Sequence, residues 1–317
     1  MGVIPPARER LVGAALGVAL DRLLGEPPSS LPHPVALLGR GLGAVEARTY
    51  RDARSAGVLH AAAGVTLGAV GGRAMRSTAA VTATCVAGRM LGDVASGIGA
   101  RLDAGDLVAA RDDLGALAGR DAAELDEGGV TRAVVESVAE NTVDAVVAPA
   151  LWAAALGPLG AGAHKAVSTL DSMVGHHSER YEQFGWASAR LDDVLAWVPA
   201  RVTAALVAAA RPARAREVLA VVRRDAPAHP SPNAGVAEAA FAAALGVQLG
   251  GPLAYAGRIE HRALLGSGPV PTSGDIARAV RLSRDVSWLL AGSLAGAGTL
   301  AGVGAARRRS AKLSGDA

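Results

Sequence analysis

An uncharged apolar run near the C-terminal end, from Ser287 to Ala306, limits the folds open to this chain. Its length meets the roughly 20 residues that an α-helix needs to cross the hydrocarbon core of a bilayer. Three arginines, Arg307 to Arg309, follow it directly. Because basic residues flank membrane helices on the cytoplasmic side, the run predicts a membrane-spanning helix with a cytoplasmic C-terminal end.

Five further apolar segments approach the length of a membrane crossing. They are residues 9–24, 57–72, 77–92, 145–163 and 193–210. Pro149 and Pro158 interrupt one of them, and Arg73 follows another, so some are expected to be re-entrant or buried within the bundle. We therefore expect four to six true spans.

Composition agrees with helices packed closely in a bilayer. Half of the residues are apolar, only 3% are aromatic, and 40 are glycine. Small residues let membrane helices approach one another closely. The sequence thus predicts an all-α, multi-pass helical integral membrane protein, a single membrane-embedded domain over residues 1–317. An alanine-rich soluble helical protein is the alternative.

Two charged segments between the apolar runs are predicted to be amphipathic helices at the cytoplasmic face. Residues 106–127 place leucines among many charges, and Arg211 to Arg224 form a basic segment suited to anionic lipid. The net charge is only +3 and the arginines are scattered, so nucleic acid is not expected as a partner. Cys85 is the single cysteine, which excludes an intrachain disulfide.

The first polar stretch of interest is acidic. Glu136, Glu140 and Asp144 follow at four-residue steps, with Asn141 beside the second. On a helix these carboxylates would form one stripe, and like charges at that spacing repel. The stripe therefore implies a bound cation or a basic partner, unless it is a solvated acidic face at the mouth of a span.

The second stretch, residues 164–201, mixes both signs of charge between two apolar segments. Its candidate residues are Lys165, Asp171, Arg190, Asp192, Asp193 and Arg201. Carboxylates can hold hydrated Mg²⁺ while Lys and Arg neutralise phosphate oxygens. We therefore predict a site for a phosphorylated or carboxylated ligand. His176 and His177 are adjacent, which is not a metal-ligand spacing.

The third stretch, residues 223–235, is a proline-rich loop that leads into a helix. Ser231 is the predicted N-cap, with Pro232 at the first helical position. Asp225, His229 and Asn233 are either loop scaffolding or ligand contacts. The sequence has no P-loop and no nucleophile elbow, so any ATP would be held by another device.

Several segments, in order, resemble the adenosylcobinamide-phosphate synthase family, known as CobD or CbiB. They are LDRLLGEPPSSLPHPVALLGR, ESVAENTVDAVVAP, STLDSMVGH, ERYEQFGWASARLDDVLAWVPAR, DAPAHPSPNAG, LGVQLGGPLAYAG and TSGDI. The chain departs from the family pattern at Ser168 and Ala196, where asparagine is usual, and at His176 and His177. The resemblance nevertheless covers nearly the whole chain.

The resemblance implies a membrane enzyme of cobalamin biosynthesis that joins adenosylcobyric acid to aminopropanol, or its O-phosphate, through an amide. ATP would be the co-substrate and Mg²⁺ the cofactor. The implied catalytic residues are Glu140, Asp144, Lys165 and Asp192. The implied metal ligands are Asp144, Asp171, Asp192 and Asp193. The residues implied to bind substrate or phosphate are Glu136, Asn141, Arg190, Arg201, Asp225, His229, Ser231 and Asn233.

The implied location is the cell membrane, with the active site on the cytoplasmic face because the substrates are cytosolic. A cysteine at Glu179 would then resist labelling from outside intact cells. A homo-oligomer, or association with other late cobalamin-pathway membrane enzymes, remains open. A transporter or a corrinoid-binding membrane protein is the alternative function, although no inverted repeat is evident.

Overall fold

The computed structural model of this chain describes residues 4–26, 33–118, 122–255 and 258–315. These ranges form thirteen α-helices and one antiparallel hairpin. The first seven helices are α1 (Ala7–Leu24), α2 (Pro34–Thr49), α3 (Arg54–Ala74), α4 (Thr78–Cys85), α5 (Gly88–Asp103), α6 (Leu107–Ala118) and α7 (Glu127–Thr142). The others are α8 (Ala148–Leu156), α9 (Pro158–Leu170), α10 (Trp186–Ala210), α11 (Ala215–Asp225), α12 (Ala234–Leu245) and α13 (Ser273–Gly315). The strands are β1 (Leu249–Tyr255) and β2 (Arg258–Leu265).

Backbone contacts divide the chain into two units. The first unit comprises Met1–Ala87, Ala148–Val194 and Trp288–Ala317, and the second comprises Gly88–Val147 and Leu195–Ser287. The predicted polar stretches are therefore split. Residues 136–144 and 225–235 belong to the second unit, whereas most of 164–201 belongs to the first.

Glycines set the helix packing of the first unit. A Cβ atom on Gly68 of α3 would lie 2.3 Å from the Gly162 carbonyl oxygen of α9, and one on Gly17 of α1 would lie 2.3 Å from Thr82 Cβ of α4. Neither approach leaves room for a side chain. Such close backbone contact through small residues is typical of membrane helix pairs.

The two ends of α3 contact different parts of the first unit. Near its start, a Cβ atom on Gly57 would lie 2.0 Å from the Phe184 carbonyl oxygen, in the connection before α10. Near its end, one on Gly72 would lie 2.2 Å from the Pro158 carbonyl oxygen at the start of α9. Helices α3 and α9 are therefore antiparallel, and Asp171, which follows α9, lies toward the Arg54 end of α3.

The core of the second unit is α12. All twelve of its residues are buried, including the lone carboxylate Glu238. Helices α7 and α11 and the hairpin pack against it. At about 1.5 Å per residue, α12 is too short to cross a bilayer, so its apolar character reflects burial within the protein.

The hairpin corrects the all-α prediction. Strands β1 and β2 pair antiparallel, with an irregularity between Leu249 and Gly251. Gly250 and Gly251 have φ of 77° and 91°, which an α-helix cannot contain. Pro252 follows them and removes a further backbone donor. The segment is therefore forced out of helical geometry.

Three helices are long and apolar enough to cross a membrane: Arg54–Ala74, Trp186–Ala210 and Ser273–Ala306. They contain the predicted spans 57–72, 193–210 and 287–306. Two further predictions were wrong as single spans, because segment 77–92 is divided between α4 and α5, and 145–163 between α8 and α9. Segment 9–24 lies within the single helix α1, which carries five charged residues within its 18 and is not among the three apolar helices, so this span stays a prediction.

Both predicted amphipathic segments contain a helix. Residues 107–118 form α6, and α11 covers most of the basic segment. The apolar face of α11 carries Val218 and Val221, which are buried, and α11 packs against α12. Protein therefore covers these two valines, where the sequence suggested a lipid surface.

Candidate functional site

The acidic stripe of the second unit begins with a structural carboxylate. Glu136 is fully buried, and its Oε1 accepts a 2.8 Å hydrogen bond from the Gly250 N–H. Burial of a carboxylate is costly unless such donors compensate it. Glu136 therefore anchors the start of β1 to α7. Asn141, nearby on α7, donates to the Ser137 carbonyl at 2.9 Å and to its hydroxyl at 3.1 Å.

The last acid of the stripe lies outside regular α-helix. Residues Val143–Val147 form a π-helical turn that contains Asp144, directly after α7. The wider turn interrupts the four-residue spacing that relates Glu136 to Glu140. Glu140 and Asp144 are both half-buried. Isolated π-turns within helices occur frequently at functional sites, which singles out Asp144.

Asp171, in the first unit, also lies in a π-helical turn. The turn spans Asp171–Gly175 directly after α9. A Cβ atom on Gly175 would lie 1.9 Å from Asp171 Oδ1, so the carboxylate occupies the space that any side chain at 175 would need. The glycine of the TLDSMVG segment therefore has a physical role, which is to seat the Asp171 carboxylate.

The remaining charged candidates of the first unit lie on two helices. Lys165 is half-buried on α9, next to the fully buried His164. On α10, Arg190 pairs with Asp193 across 3.7 Å, while the half-buried Asp192 lies on another side of the helix. Asp193 thus neutralises an arginine on its own helix.

Among the residues that the structure describes, no group of three or more His, Cys, Asp or Glu side chains could hold a metal ion. Of the four predicted metal ligands, Asp144 belongs to the second unit and Asp171, Asp192 and Asp193 to the first. His176 instead packs edge-on against Tyr181, and His177 pairs with Glu182 at 2.9 Å.

A cavity of about 410 Å³ in the second unit brings residues of two predicted stretches together. It is lined by Arg201, Val222, Ala226, Pro227, His229, Pro230, Pro232 and Val236. Small-molecule sites in proteins combine such apolar walls with a few polar groups that fix orientation. The two polar side chains here, Arg201 and His229, are both among those predicted to bind substrate.

Three contacts hold the Arg201 guanidinium beside the cavity. Its Nη1 donates to Asn233 Oδ1 at 2.9 Å and to the Trp197 carbonyl at 3.1 Å. The guanidinium carbon also lies 4.4 Å from the centre of the Trp197 ring. Because these contacts use only part of the planar donor set, Arg201 can still present N–H groups to an oxyanion.

His229 is oriented from both ring nitrogens. Its Nδ1 accepts from the Ser231 N–H at 3.1 Å, and its Nε2 lies 3.7 Å from Glu238 Oε2. Both side chains are almost wholly buried, at 4% and 1% exposure. Nδ1 also lies 3.2 Å from the Ser231 carbonyl oxygen, and the Glu238 carboxyl group is on the Nε2 side of the ring. Glu238 therefore lies behind a histidine that lines the cavity.

The loop residues of the third stretch are mainly scaffolding. Ser231 Oγ accepts from the backbone N–H groups of Asn233 and Ala234, at 3.3 and 3.1 Å. The prediction of Ser231 as the N-cap was wrong, because α12 begins at Ala234, two residues later than expected, and its N-cap residue is Asn233. Asp225 accepts from the Gly266 N–H at 2.8 Å and pairs with Arg224, which ties α11 to the end of the hairpin.

Sequence reasoning missed Glu238 and Gly175. A single glutamate within an apolar helix, AGVAEAAFAAAL, is a signal, since an unpaired charge there would be too costly to bury. For Gly175, the only signal in the sequence was its place in the TLDSMVG segment.

Comparison with known proteins gives a consistent result. The family model described as CobD/Cbib protein matches residues 14–283. A "Cobalamin biosynthesis protein CobD" of Mycobacterium tuberculosis strain H37Rv is 46% identical, over 95% of this chain and 97% of its own length. Proteins of the same name from Pelobacter propionicus and Chromobacterium violaceum are 42% and 40% identical, over 80% and 87% of this chain and 84% and 93% of theirs. No solved structure matches the chain.

Proposed function

The chain belongs to the CobD/Cbib family, and from this premise we propose that it catalyses the amide-forming step of cobalamin biosynthesis. In this step (R)-1-amino-2-propanol, or its O-phosphate, is attached to the propionate side chain of adenosylcobyric acid, with ATP hydrolysis. The observation that carries the proposal is the 46% identity, over 95% of the chain, to a relative named as a cobalamin biosynthesis protein.

The proposed reaction has two stages, because the negative charge of a carboxylate shields its carbon from an amine. A carboxylate oxygen first attacks the terminal phosphorus of ATP, so that ADP leaves and an acyl phosphate forms. The amine nitrogen then attacks the acyl carbon, the bond to phosphate breaks, and the amine's proton passes to a carboxylate base.

The cavity beside Arg201 and His229 supports the binding part of the proposal. The Arg201 guanidinium suits an oxyanion, either a phosphate or a carboxylate. The volume of about 410 Å³ is within the range of small-molecule sites. We assign this cavity to the smaller substrate, aminopropanol or its phosphate.

The acids in the π-turns are the proposed proton acceptors. Asp171, seated against Gly175, is half-buried and lies in the same unit as Lys165 and Asp192. Glu140 and Asp144 are the candidate proton acceptors in the second unit. Lys165 and Arg190 are proposed to neutralise phosphate oxygens during the transfer.

The donor set fits a magnesium ion. Mg²⁺ is usually held by one or two carboxylates together with substrate phosphates and water, and therefore needs no cluster of three protein ligands. Asp171 and Asp192 of the first unit, or Asp144 of the second, would hold it. When bound, the ion would neutralise charge on the phosphate oxygens of ATP.

We further propose that the protein is a multi-pass protein of the cell membrane, with the reaction on the cytoplasmic face where ATP is present. The three long apolar helices and the glycine-mediated contacts of the first unit support this.

Purified protein in detergent, incubated with adenosylcobyric acid, Mg-ATP and aminopropanol phosphate, tests the proposal by the mass of the corrin product. An ATP-dependent amide is expected. Arg201→Gln should raise the KM for the amine substrate, whereas the matched variant Arg223→Gln, on the exposed face of α11, should not. Absence of product with both free and phosphorylated aminopropanol, from folded protein, would contradict amide formation. Retention of the corrin in that case would favour a corrinoid-binding or transport role.

A further inference from the structure

We propose that a groove of about 630 Å³ in the first unit binds an anionic phospholipid, with the phosphate headgroup at its arginine end. The groove lies between the N-terminal half of α1, as far as Leu16, and the start of α4. It contains none of the residues assigned to the amide-forming reaction. This inference rests on the proposed membrane insertion and is independent of the proposed chemistry.

The lining changes from charged to aliphatic along α1. Arg8, Val12 and Leu16 all line the groove, and their four-residue spacing puts them on one helix face. At 1.5 Å per residue the change extends over roughly 12 Å. Leu16 is 52% exposed, which is unfavourable in water and favourable beside an acyl chain. This order of polarity is that of a phospholipid, in which the headgroup joins an apolar chain.

The charge of the polar end matches one phosphodiester. Arg8 and Arg76 contribute two positive charges and Glu9 one negative charge, which leaves +1. Thr78, which packs beside Gly13 between Arg8 and Leu16, is 3% exposed, and its hydroxyl has no hydrogen-bond partner among the residues that the structure describes. A free phosphate would satisfy the arginines but would leave the aliphatic wall uncovered.

Close contacts hold the walls of the groove in place. A Cβ atom on Gly13 would lie 2.7 Å from Thr78 Cβ, which fixes α1 against α4. One on Gly302 of α13 would lie 2.9 Å from Arg8 Cδ, so a third helix supports the arginine. The site is thus built from fixed elements.

Lipid binding is measured on the full-length protein in detergent after lipid removal. Phosphatidylglycerol, phosphatidylcholine and inorganic phosphate are added separately, and retained lipid is followed by native mass spectrometry together with the thermal midpoint. Phosphatidylglycerol alone is expected to be retained and to raise the midpoint. Each arginine contributes about 1 kcal/mol to anionic lipid binding, so Arg8→Gln should weaken retention by about fivefold.

Two variants separate binding from folding. Arg76 has φ of 59°, a left-handed conformation that glycine adopts without strain, so Arg76→Gly removes the charge while easing the backbone. It should weaken phosphatidylglycerol retention by about the same fivefold factor without lowering the midpoint of the lipid-free protein. Arg73→Gln is the matched control, because Arg73 is exposed near Arg76 and does not line the groove.

The outcomes are decisive in either direction. Equal retention of phosphatidylcholine, equal protection by inorganic phosphate, or equal loss in Arg73→Gln would overturn the proposal. Amide formation is assayed on the same preparations, so a failure of lipid binding remains distinguishable from a failure of the enzymatic proposal.

Discussion

At the scale of single residues, the contact between Gly175 and Asp171 gives the sharpest prediction for catalysis. Gly175→Ala would place a methyl group where Asp171 Oδ1 now lies. A displacement of about 1 Å at a reacting group can cost about 100-fold, so we expect kcat to fall by about that factor. The control is Gly97→Ala, whose methyl group would meet nothing within 4 Å. Unchanged kcat in Gly175→Ala would remove Asp171 from the catalytic groups.

Glu238 is predicted to act through His229. Glu238→Gln keeps the size of the side chain but removes the charge that faces His229 Nε2. We expect the KM for the amine substrate to rise by roughly tenfold, which is about 1.4 kcal/mol of binding, while kcat changes little. Steady-state kinetics beside the exposed control Glu217→Gln provide the measurement. A fall in kcat with constant KM would instead indicate a role in the chemical step.

Asp225 is predicted to make stability depend on acidity. The hydrogen bonds from Arg224, with that from the Gly266 N–H, hold the pKa of Asp225 below its ordinary value. A lowered folded pKa stabilises the protein above the unfolded pKa of about 4, and that contribution is lost as pH falls through the folded pKa. Asp225→Asn should therefore cost about 1–2 kcal/mol at pH 7 and much less at pH 3.

Thermal midpoints at pH 7 and pH 3 measure this difference. The control is Asp93→Asn, because the Asp93 side chain is 73% exposed. An Asp225→Asn midpoint that differs from the wild type equally at both pH values would show that the effect is not one of ionisation.

At the scale of helices and strands, the packing of α3 on α9 is open to a direct test. Gly68→Ala would drive a methyl group against the Gly162 carbonyl oxygen, 2.3 Å away. Overpacking of this kind costs about 1–3 kcal/mol, so the thermal midpoint should fall. Gly71→Ala on the same helix meets nothing within 4 Å and should leave the midpoint unchanged or raise it. Equal midpoints for the two variants would show that the contact does not determine stability.

The helices that composition predicts well are those whose apolar character is uniform. The cores of α3 and α13 follow from apolar runs without Asp, Glu, Lys or Arg, and that of α10 from a run with only Asp193 and Arg201, because length and hydropathy decide a span. The π-turns at Val143–Val147 and Asp171–Gly175 could not be predicted, because one extra residue per turn leaves no periodic signature.

The individual residues of the candidate site could be predicted from the sequence, but the cavity that they share could not. Arg201 and His229 were both selected from the sequence, but their common cavity depends on the packing of α10, α11 and the loop before α12. Glu238 was missed because an isolated glutamate in an alanine-rich helix gives no spacing to interpret. Helix α12 was also expected to start at Pro232, but Ser231 Oγ accepts from the Asn233 and Ala234 N–H groups within a turn that precedes the helix.

At the scale of the whole molecule, the contacts at the two ends of α3 bear on two predictions, a cytoplasmic Glu179 and a cytoplasmic C-terminal end. The connection that contains Glu179 lies at the Arg54 end, and the Arg73–Ser77 turn lies at the other. Gly302, close to the C-terminal arginines, contacts Arg8 beside that second turn. If α3 crosses the membrane, Glu179 and the C-terminal end cannot both be cytoplasmic.

Cysteine labelling decides the question. Glu179→Cys and Arg73→Cys are made separately in a Cys85→Ala background, and a membrane-impermeant reagent is applied to intact and permeabilised cells. Because the proposed reaction uses ATP, we expect Arg73→Cys to be labelled from outside and Glu179→Cys only after permeabilisation. Labelling of both from the same side would show that α3 does not cross.

The antiparallel contact of α3 and α9 then bears on which leaflet of the membrane each site faces. Asp171 and the arginine groove lie at opposite ends of a 21-residue helix, which is roughly 31 Å long and spans a typical hydrocarbon core. An enzyme that draws ATP from the cytosol would therefore hold its anionic lipid in the outer leaflet. Its chemistry and its lipid contact would respond to the composition of different compartments.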